Sequence, residues 1–358
     1  MGDFRTFMTA NRQPAVPHKP VVDPAGWTPE EMADLSRWTY TMTQQEVDEL
    51  LKGVATARRS RVAVEDVSTK NVALKRFGIV LEDIRHELAD GRGAIRIKGF
   101  PIDQLDREGT VMAYLALGAH IGTLEPQNKH GHLIGHVKDF RASRSVDEGR
   151  GYNSNVSSSF HTDSTDYVGL LCIGEPMTGG NSRIVSSVTI YNRILAERPD
   201  LIDCLMLDFY KSRYGEERPG ESPYYKCPVF GFVDGYFSST GFSKGYKTTQ
   251  GRPGVPDFTQ QQLDALPVFE RIAEECSLDM PFKRGDIQFI NNYVVVHARR
   301  GFEDWPAPGG QRHLLRLWLN DPVARPIPTD RIERRNRGLY LKDVKRQVPI
   351  DLSEPVPV

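Results

Sequence analysis

The triplet His161-Thr162-Asp163 sets an imidazole and a carboxylate two residues apart. On an extended strand residues i and i+2 point to the same face, so the two side chains can address one ion. Alone the triplet is a weak signal, because a chain with nine histidines produces an H-x-[DE] pattern readily by chance. The context lies downstream. Residues 291–299 form a β-branched stretch with a single histidine, His297. Residues 312–319 read as another strand, with Leu315, Leu317 and Leu319 on one face and Arg312 and Arg316 on the other. Two arginines on one face of an otherwise apolar strand make either a solvated face or a pocket for carboxylates, which the planar guanidinium binds through paired N–H donors. Two imidazoles and a carboxylate on one side of a cation leave three positions open, the arrangement of non-haem Fe(II) oxygenases. An arginine beyond the second histidine fits the next need of such a centre, an anchor for a dicarboxylate cosubstrate.

These features stand in a fixed order: His161-x-Asp163, then Gly179-Gly180-Asn181-Ser182, then His297-Ala298-Arg299 with Phe302 and Asp304, then Arg312-x3-Arg316 followed by Trp318. Over about residues 94–320 they resemble the taurine dioxygenase/TfdA family of Fe(II)- and 2-oxoglutarate-dependent dioxygenases, which includes clavaminate synthase. The resemblance implies a mainly β fold with flanking helices, a double-stranded β-helix or jelly roll. It implies Fe(II), 2-oxoglutarate and O2 as cofactor and cosubstrates, with His161, Asp163 and His297 as metal ligands and catalytic residues. Arg312 aligns with the arginine that pairs with the far carboxylate of 2-oxoglutarate. Ser182 stands where the family usually has threonine and keeps the hydroxyl. Arg316 aligns with a position that in several members holds an anionic group of the prime substrate. The implied reaction oxidises a C–H bond of a small anionic substrate, such as an amino acid or small acid. Hydroxylation is the default; desaturation, cyclisation and epoxidation share the same centre. The intact Asp163 argues against a halogenase, which needs a small residue there.

Two other readings compete. His130-Gly131-His132 with His136 is similar to a cupin ligand cluster, which would not need 2-oxoglutarate, but it lacks the carboxylate and a second motif. A jelly roll that binds a ligand without catalysis is the other, since fold alone does not fix function.

The supporting elements follow from pattern. A proline-rich arm covers residues 1–26, and capping boxes open helices at Thr28-Pro29-Glu30-Glu31 and Thr43-Gln44-Gln45-Glu46. A third helix is predicted over 79–89 and a strand over 94–98. Short β segments then recur at 167–173, 181–185, 229–233, 236–239, 287–291, 294–299 and 313–319, with helices near 188–197 and 260–276. The expected organisation is one structural domain: an arm and helical support at 1–93, the catalytic jelly roll at 94–320, and a C-terminal extension at 321–358. A tyrosine-rich insert near 212–258 is either a lid or a surface excursion. The stretch 126–139 reads as loop and pocket wall. No glycine loop follows a strand in the manner of a nucleotide-binding motif.

The whole chain of 358 residues has 39% hydrophobic residues and a net charge of −1. That supports a sizeable core and gives no global positive field for nucleic acid or an anionic membrane. Apolar runs such as 169–173 and 294–296 are far shorter than the roughly 20 residues of a membrane helix. The start does not read as a secretory signal, although Gly2 and Thr6 fit the permissive myristoylation pattern. Four scattered cysteines indicate free thiols in a reducing cytoplasm. The expected partner is a small molecule, with no nucleic acid or membrane; homo-oligomers are compatible with the sequence.

Overall fold

A computed structural model of the protein describes residues 11–140, 155–213, 217, 219–242, 244–307, 309–321, 325–329 and 344–352. Gly2 and Thr6, Tyr214 of the insert, and the arginines at 331, 334, 335 and 337 lie outside the described residues.

The period-two segments form two principal sheets. The larger contains β1 (Thr39–Thr41), β2 (Ala94–Lys98), β3 (Thr123–Glu125), β4 (Gly135–Lys138), β6 (Tyr167–Gly174), β14 (Ile287–Asn291) and β17 (His313–Asn320), ordered β1-β2-β14-β6-β17-β3, with β4 also on β17. The smaller contains β5 (Ser158–His161), β8 (Ser182–Ser186), β13 (Leu278–Met280) and β15 (Val295–Arg299), ordered β13-β8-β15-β5. Three short pairs complete the strands of the described residues: β7 (Thr178–Gly179) with β16 (Phe302–Glu303), β9 (Tyr210–Ser212) with β10 (Tyr224–Lys226), and β11 (Phe230–Val233) with β12 (Tyr236–Ser239). This is the jelly-roll architecture that the resemblance implied.

Alternation along β17 decides which residues meet the site. Leu315, Leu317 and Leu319 pack into a core shared with the helices Gln44–Arg59, Phe77–Ala89 and Arg107–Ile121. Leu314 and Trp318 face the opposite way, into a core that joins inner residues of both sheets, such as Val168, Ile184 and Val296. Arg312 and Arg316 share that inward parity. The polar face of the strand is therefore an interior face, and the solvated-edge alternative does not hold.

Several elements went unread in the sequence: β4 lies in the stretch 126–139 that reads as loop, because its strand is set by pairing with β17, and two others bear on how the fold is covered. The helix Arg107–Ile121 buries 11 of its 15 residues, so it is apolar all round and has no stripe to reveal it. β1 lies in the region expected to be helical support, yet it extends the larger sheet by pairing in parallel with β2. The C-terminal segment also returns to the fold. Leu133 N–H donates to Gln347 O and Gln347 N–H to Gly131 O, both at 2.9 Å.

Candidate active site

His161 ends β5 and His297 sits in β15, and the register places the two directly opposite each other. Their rings lie 4.3 Å apart between centroids. Asp163 follows two residues after His161, and ligand atoms of all three lie within 4.8 Å of one another. Several contacts fix this geometry. His161 Nδ1 lies 2.8 Å from Ser159 O, an acceptor only, so it carries the hydrogen and Nε2 is left as the ligand nitrogen. Asn292 Oδ1 accepts from Asp163 N–H at 3.1 Å while its amide donates to Thr165 O at 3.0 Å, which clamps the loop after His161. Trp318 Nε1 donates to Asp163 Oδ2 at 3.0 Å.

Charge and burial tune the three groups for a cation. Burial, reinforced by His161, pulls the His297 pKa down to about 3, so the imidazole is neutral. Burial also lowers that of His161. For Asp163 burial works against ionisation, but the Arg316 guanidinium, with the Trp318 N–H, outweighs it and holds the carboxylate well below its usual range. Neutral imidazoles and an ionised carboxylate form the donor set that a divalent transition metal needs, so the residues present fit Fe(II).

A second charged cluster is built around Arg312. Its Nε donates to Gly180 O at 3.1 Å and its backbone N–H to Asp304 Oδ1 at 2.7 Å. Its Nη1 is buried without a hydrogen-bond partner among the described residues. Burial, and then the charge of Arg299, pull the Arg312 pKa down to about 9. Phe302 lies beneath both guanidinium groups, at 5.1 Å from Arg299 and 5.2 Å from Arg312. Two buried cations over one ring, one with an orphaned donor, call for an anion. Gly180 makes the approach feasible: it has φ +72°, and a Cβ there would lie 2.8 Å from both Cδ and Nε of Arg312.

Residues 61–318 match the taurine catabolism dioxygenase TauD, TfdA family. The chain belongs to the TauD/TfdA family. It is an Fe(II)- and 2-oxoglutarate-dependent dioxygenase of that type. It is 30% identical over 318 residues to FR-33289 synthase of Streptomyces rubellomurinus, a match covering 87% of this chain and 93% of the relative. It is 24% identical over 348 residues to the taurine hydroxylase-like protein SAT17 of Stachybotrys chartarum, covering 94% and 89%. Two solved structures share the fold. Asparagine oxygenase in complex with Fe(II), 3-hydroxyasparagine and succinate superposes with a TM-score of 0.60 at 16% identity, over 79% of this chain and 94% of that one. The non-heme iron oxygenase OrfP with Fe and alpha-ketoglutaric acid gives the same four values.

Ser182 is buried on β8, and its hydroxyl donates to Gln288 Oε1 at 2.8 Å across the interior. Arg316 carries a contact that the sequence did not reveal. Its Nη1 lies 3.3 Å from Asp163 Oδ2, its Nε donates to Gln127 Oε1 at 2.7 Å, and its guanidinium stacks 5.1 Å from the Trp318 ring. Gln127 in turn donates to the Arg316 and Leu133 carbonyls at 2.7 and 3.0 Å. The stretch 126–139 is thus the mount for Arg316. A Cβ at Gly135 would lie 2.5 Å from Gln127 Oε1, so a larger residue there would push the Gln127 amide away from Arg316.

The cupin-like grouping does not assemble. Among the described residues the potential ligand groups are His161–Asp163–His297 and His136–His313–Asp351; neither includes His130 or His132. His136 instead meets His313, with Nδ1 and Nε2 2.8 Å apart, and its Nε2 donates to Pro349 O at 2.8 Å. That pair tethers the C-terminal segment beside β17. Arg299 and Asn292 are further functional residues that went unassigned. The i, i+2 rule offered a signal for Arg299, which shares the face of His297; nothing local marks Asn292.

Proposed function

We propose that His161, Asp163 and His297 hold Fe(II), that Arg312 with Ser182 binds 2-oxoglutarate, and that the enzyme hydroxylates a C–H bond of a small anionic substrate such as an amino acid or small acid. The observation that carries this reading is Arg312, buried with an orphaned Nη1 at the head of the inward-facing row whose Arg316 and Trp318 contact Asp163. When bound, the metal supplies the activation of O2, coupled to oxidative decarboxylation of the cosubstrate to succinate and CO2.

The chain's own residues do the rest. Ser159 and Asn292 fix the ligand tautomer and the loop, so the three donors converge before metal arrives. Arg312 receives the far carboxylate of 2-oxoglutarate with charge-assisted hydrogen bonds, and Arg299 beside it raises the local demand for negative charge. The Ser182 hydroxyl turns from Gln288 to donate to the same carboxylate. Arg316 keeps Asp163 ionised and presents positive charge to an anionic group of the prime substrate. The buried surroundings exclude water from the reacting C–H bond. The four cysteines are free and buried, which suits a reducing cytoplasm. Among the described residues no helix is long and apolar enough to cross a membrane.

Anaerobic addition of Fe(II) and 2-oxoglutarate should produce a metal-to-ligand charge-transfer band in the visible. His161→Ala and His297→Ala should each abolish the band and succinate release while leaving the fold intact. Full activity in both variants would overturn the ligand assignment.

A further inference from the structure

Ser182 and Gln288 bridge the two principal sheets beside the Arg312 cluster. Ser182 opens β8, two residues after Gly180, whose carbonyl accepts from Arg312 Nε at 3.1 Å. The register sets Ser182 opposite Arg299 on β15. Gln288 lies on β14 in the larger sheet. Its neighbours Ile287 and Phe289 pack toward the helices, whereas Ile290 packs in the inner core, so Gln288 has the inward parity of Ile290. Ser182 is 3% exposed and Gln288 1%. The hydrogen bond between them, from Ser182 Oγ to Gln288 Oε1 at 2.8 Å, leaves Gln288 Nε2 buried without a hydrogen-bond partner among the described residues. Arg312 Nη1 is in the same condition.

An apolar side chain would fill position 288 without that cost, because a buried N–H left unpaired is destabilising. The amide has a use once an anion arrives. The Ser182 hydroxyl carries one hydrogen, and in the structure it is given to Gln288 Oε1. Donating it to a carboxylate instead strands Oε1 unless the amide moves as well. A half-turn about the terminal side-chain torsion, which is broad and roughly two-fold, exchanges Oε1 and Nε2. Nε2 then donates to Ser182 Oγ, and the hydroxyl hydrogen is released for the carboxylate. The turn also replaces an unpaired N–H by an under-satisfied carbonyl, which buried sites tolerate more readily. Serine needs such a guide, since it lacks the β-branch that restricts χ1.

We propose that Gln288 is the positioning residue for Ser182: its amide turns over when 2-oxoglutarate binds and donates to Ser182 Oγ, which directs the hydroxyl hydrogen to the far carboxylate held by Arg312. This rests on the 2-oxoglutarate reading of Arg312 and Ser182 above and adds the residue that orients the hydroxyl.

The test uses the full-length enzyme, anaerobic and saturated with Fe(II), with 2-oxoglutarate titrated while the charge-transfer band is followed. Gln288→Leu should raise the 2-oxoglutarate dissociation constant about three- to tenfold. Gln288→Glu, whose ionised carboxylate can accept from Ser182 but not donate to it, should raise it further. In a Ser182→Ala background Gln288→Leu should add no more than about twofold, because the amide acts through the hydroxyl. The Fe(II) dissociation constant of each apoprotein should stay within about twofold of wild type, a readout that general damage to the interior would move. Gln288→Met, of nearly equal length, serves for the same titrations where the leucine variant does not fold. An unchanged or tighter 2-oxoglutarate dissociation constant in Gln288→Leu would overturn the proposal, since the amide would then only compete for the hydroxyl. An undiminished effect in the Ser182→Ala background would overturn it too, by showing that Gln288 acts independently of Ser182. A wild-type dissociation constant in Ser182→Ala would remove the Ser182 assignment and the proposal with it, while Arg312 kept its role. Absence of the band in every protein would instead be the failure of the whole Fe(II)/2-oxoglutarate reading.

Discussion

Arg312 and Arg316 lie four residues apart on one face, yet their surroundings give them different work. Arg312 has an orphaned Nη1 and a second arginine beside it; Arg316 is held by Asp163, Gln127 and Trp318. Arg312→Met should therefore act on the cosubstrate. Losing one partner of a desolvated charge pair costs about 3–5 kcal/mol, so the KM for 2-oxoglutarate should rise at least about a hundredfold. Ser182→Ala should cost about 1.5–3 kcal/mol, one hydrogen bond to a charged group. An unchanged KM in Arg312→Met would mean that another residue holds 2-oxoglutarate. Arg316→Gln should leave the 2-oxoglutarate dissociation constant within about twofold of wild type, well under the tenfold that 1.4 kcal/mol represents. Its effect falls on Asp163, whose pKa Arg316 holds down against burial. With the guanidinium gone that pKa rises, the carboxylate protonates at higher pH, and the pH midpoint of Fe(II) retention moves upward. Titrating bound iron against pH in both proteins checks this; coincident midpoints would contradict it.

At the scale of elements, the site depends on strands meeting at two close approaches. β5 and β15 bring His161 opposite His297, and the register between them shifts by the next residue pair, Arg299 with Ser158. The glycine pair after β6 lets the chain pass the side chain of Arg312. Gly179 and Gly180 have φ +71° and +72°, a left-handed conformation that costs an L side chain roughly 1–2 kcal/mol. At Gly180 the added methyl also displaces Arg312. Gly180→Ala should accordingly raise the 2-oxoglutarate dissociation constant by about tenfold or more, equivalent to about 1.4 kcal/mol. Iron binding by the apoprotein should stay near wild type, because the three ligands lie on other segments. Equilibrium titrations of each ligand separate the two effects, and equal loss of both would show a general collapse instead.

For the whole molecule, the buried His136–His313 pair joins the jelly roll to the C-terminal segment through Pro349 O. Both pKa values are lowered, chiefly by burial; that of His313 falls to about 2, with His136, Lys138, Arg107 and Arg312 all opposing its protonation. Asp351 favours the charged form of His136 only weakly by comparison. Below the ordinary histidine pKa of about 6.5 the unfolded chain takes up a proton that the folded one refuses, so stability falls as pH drops. Each such group contributes a slope of up to about 1.4 kcal/mol per pH unit. His313→Gln removes one of them. The variant should be less stable than wild type at pH 7, and the gap should narrow by up to about 2 kcal/mol by pH 5. Urea denaturation of the apoproteins at the two pH values measures it; a constant gap would mean that His313 takes up its proton over the same pH range folded and unfolded.

What the sequence determined by itself was local or ordered along the chain. The period of two in 287–291 and 313–319, the capping boxes at Thr28 and Thr43, and the succession His161-x-Asp163, glycine pair, His297, Arg312 can all be read without coordinates, because each depends on spacing between near neighbours. That both faces of β17 are interior could not be read, since either face of an isolated strand can be solvated until a helix or sheet covers it; here the helix Arg107–Ile121, silent in periodicity, covers one and the smaller sheet the other. The tertiary structure alone decided that Arg316 braces Asp163, that His136 pairs with His313 rather than with His130 or His132, and that Thr240 of the insert holds Thr162 in the loop between His161 and Asp163. Those contacts span from 78 residues, between Thr162 and Thr240, to 177 and 189 residues in the His136–His313 and Gln127–Arg316 pairs. No pattern of neighbours encodes such distances; they are set by the packing of two sheets and an insert around one centre.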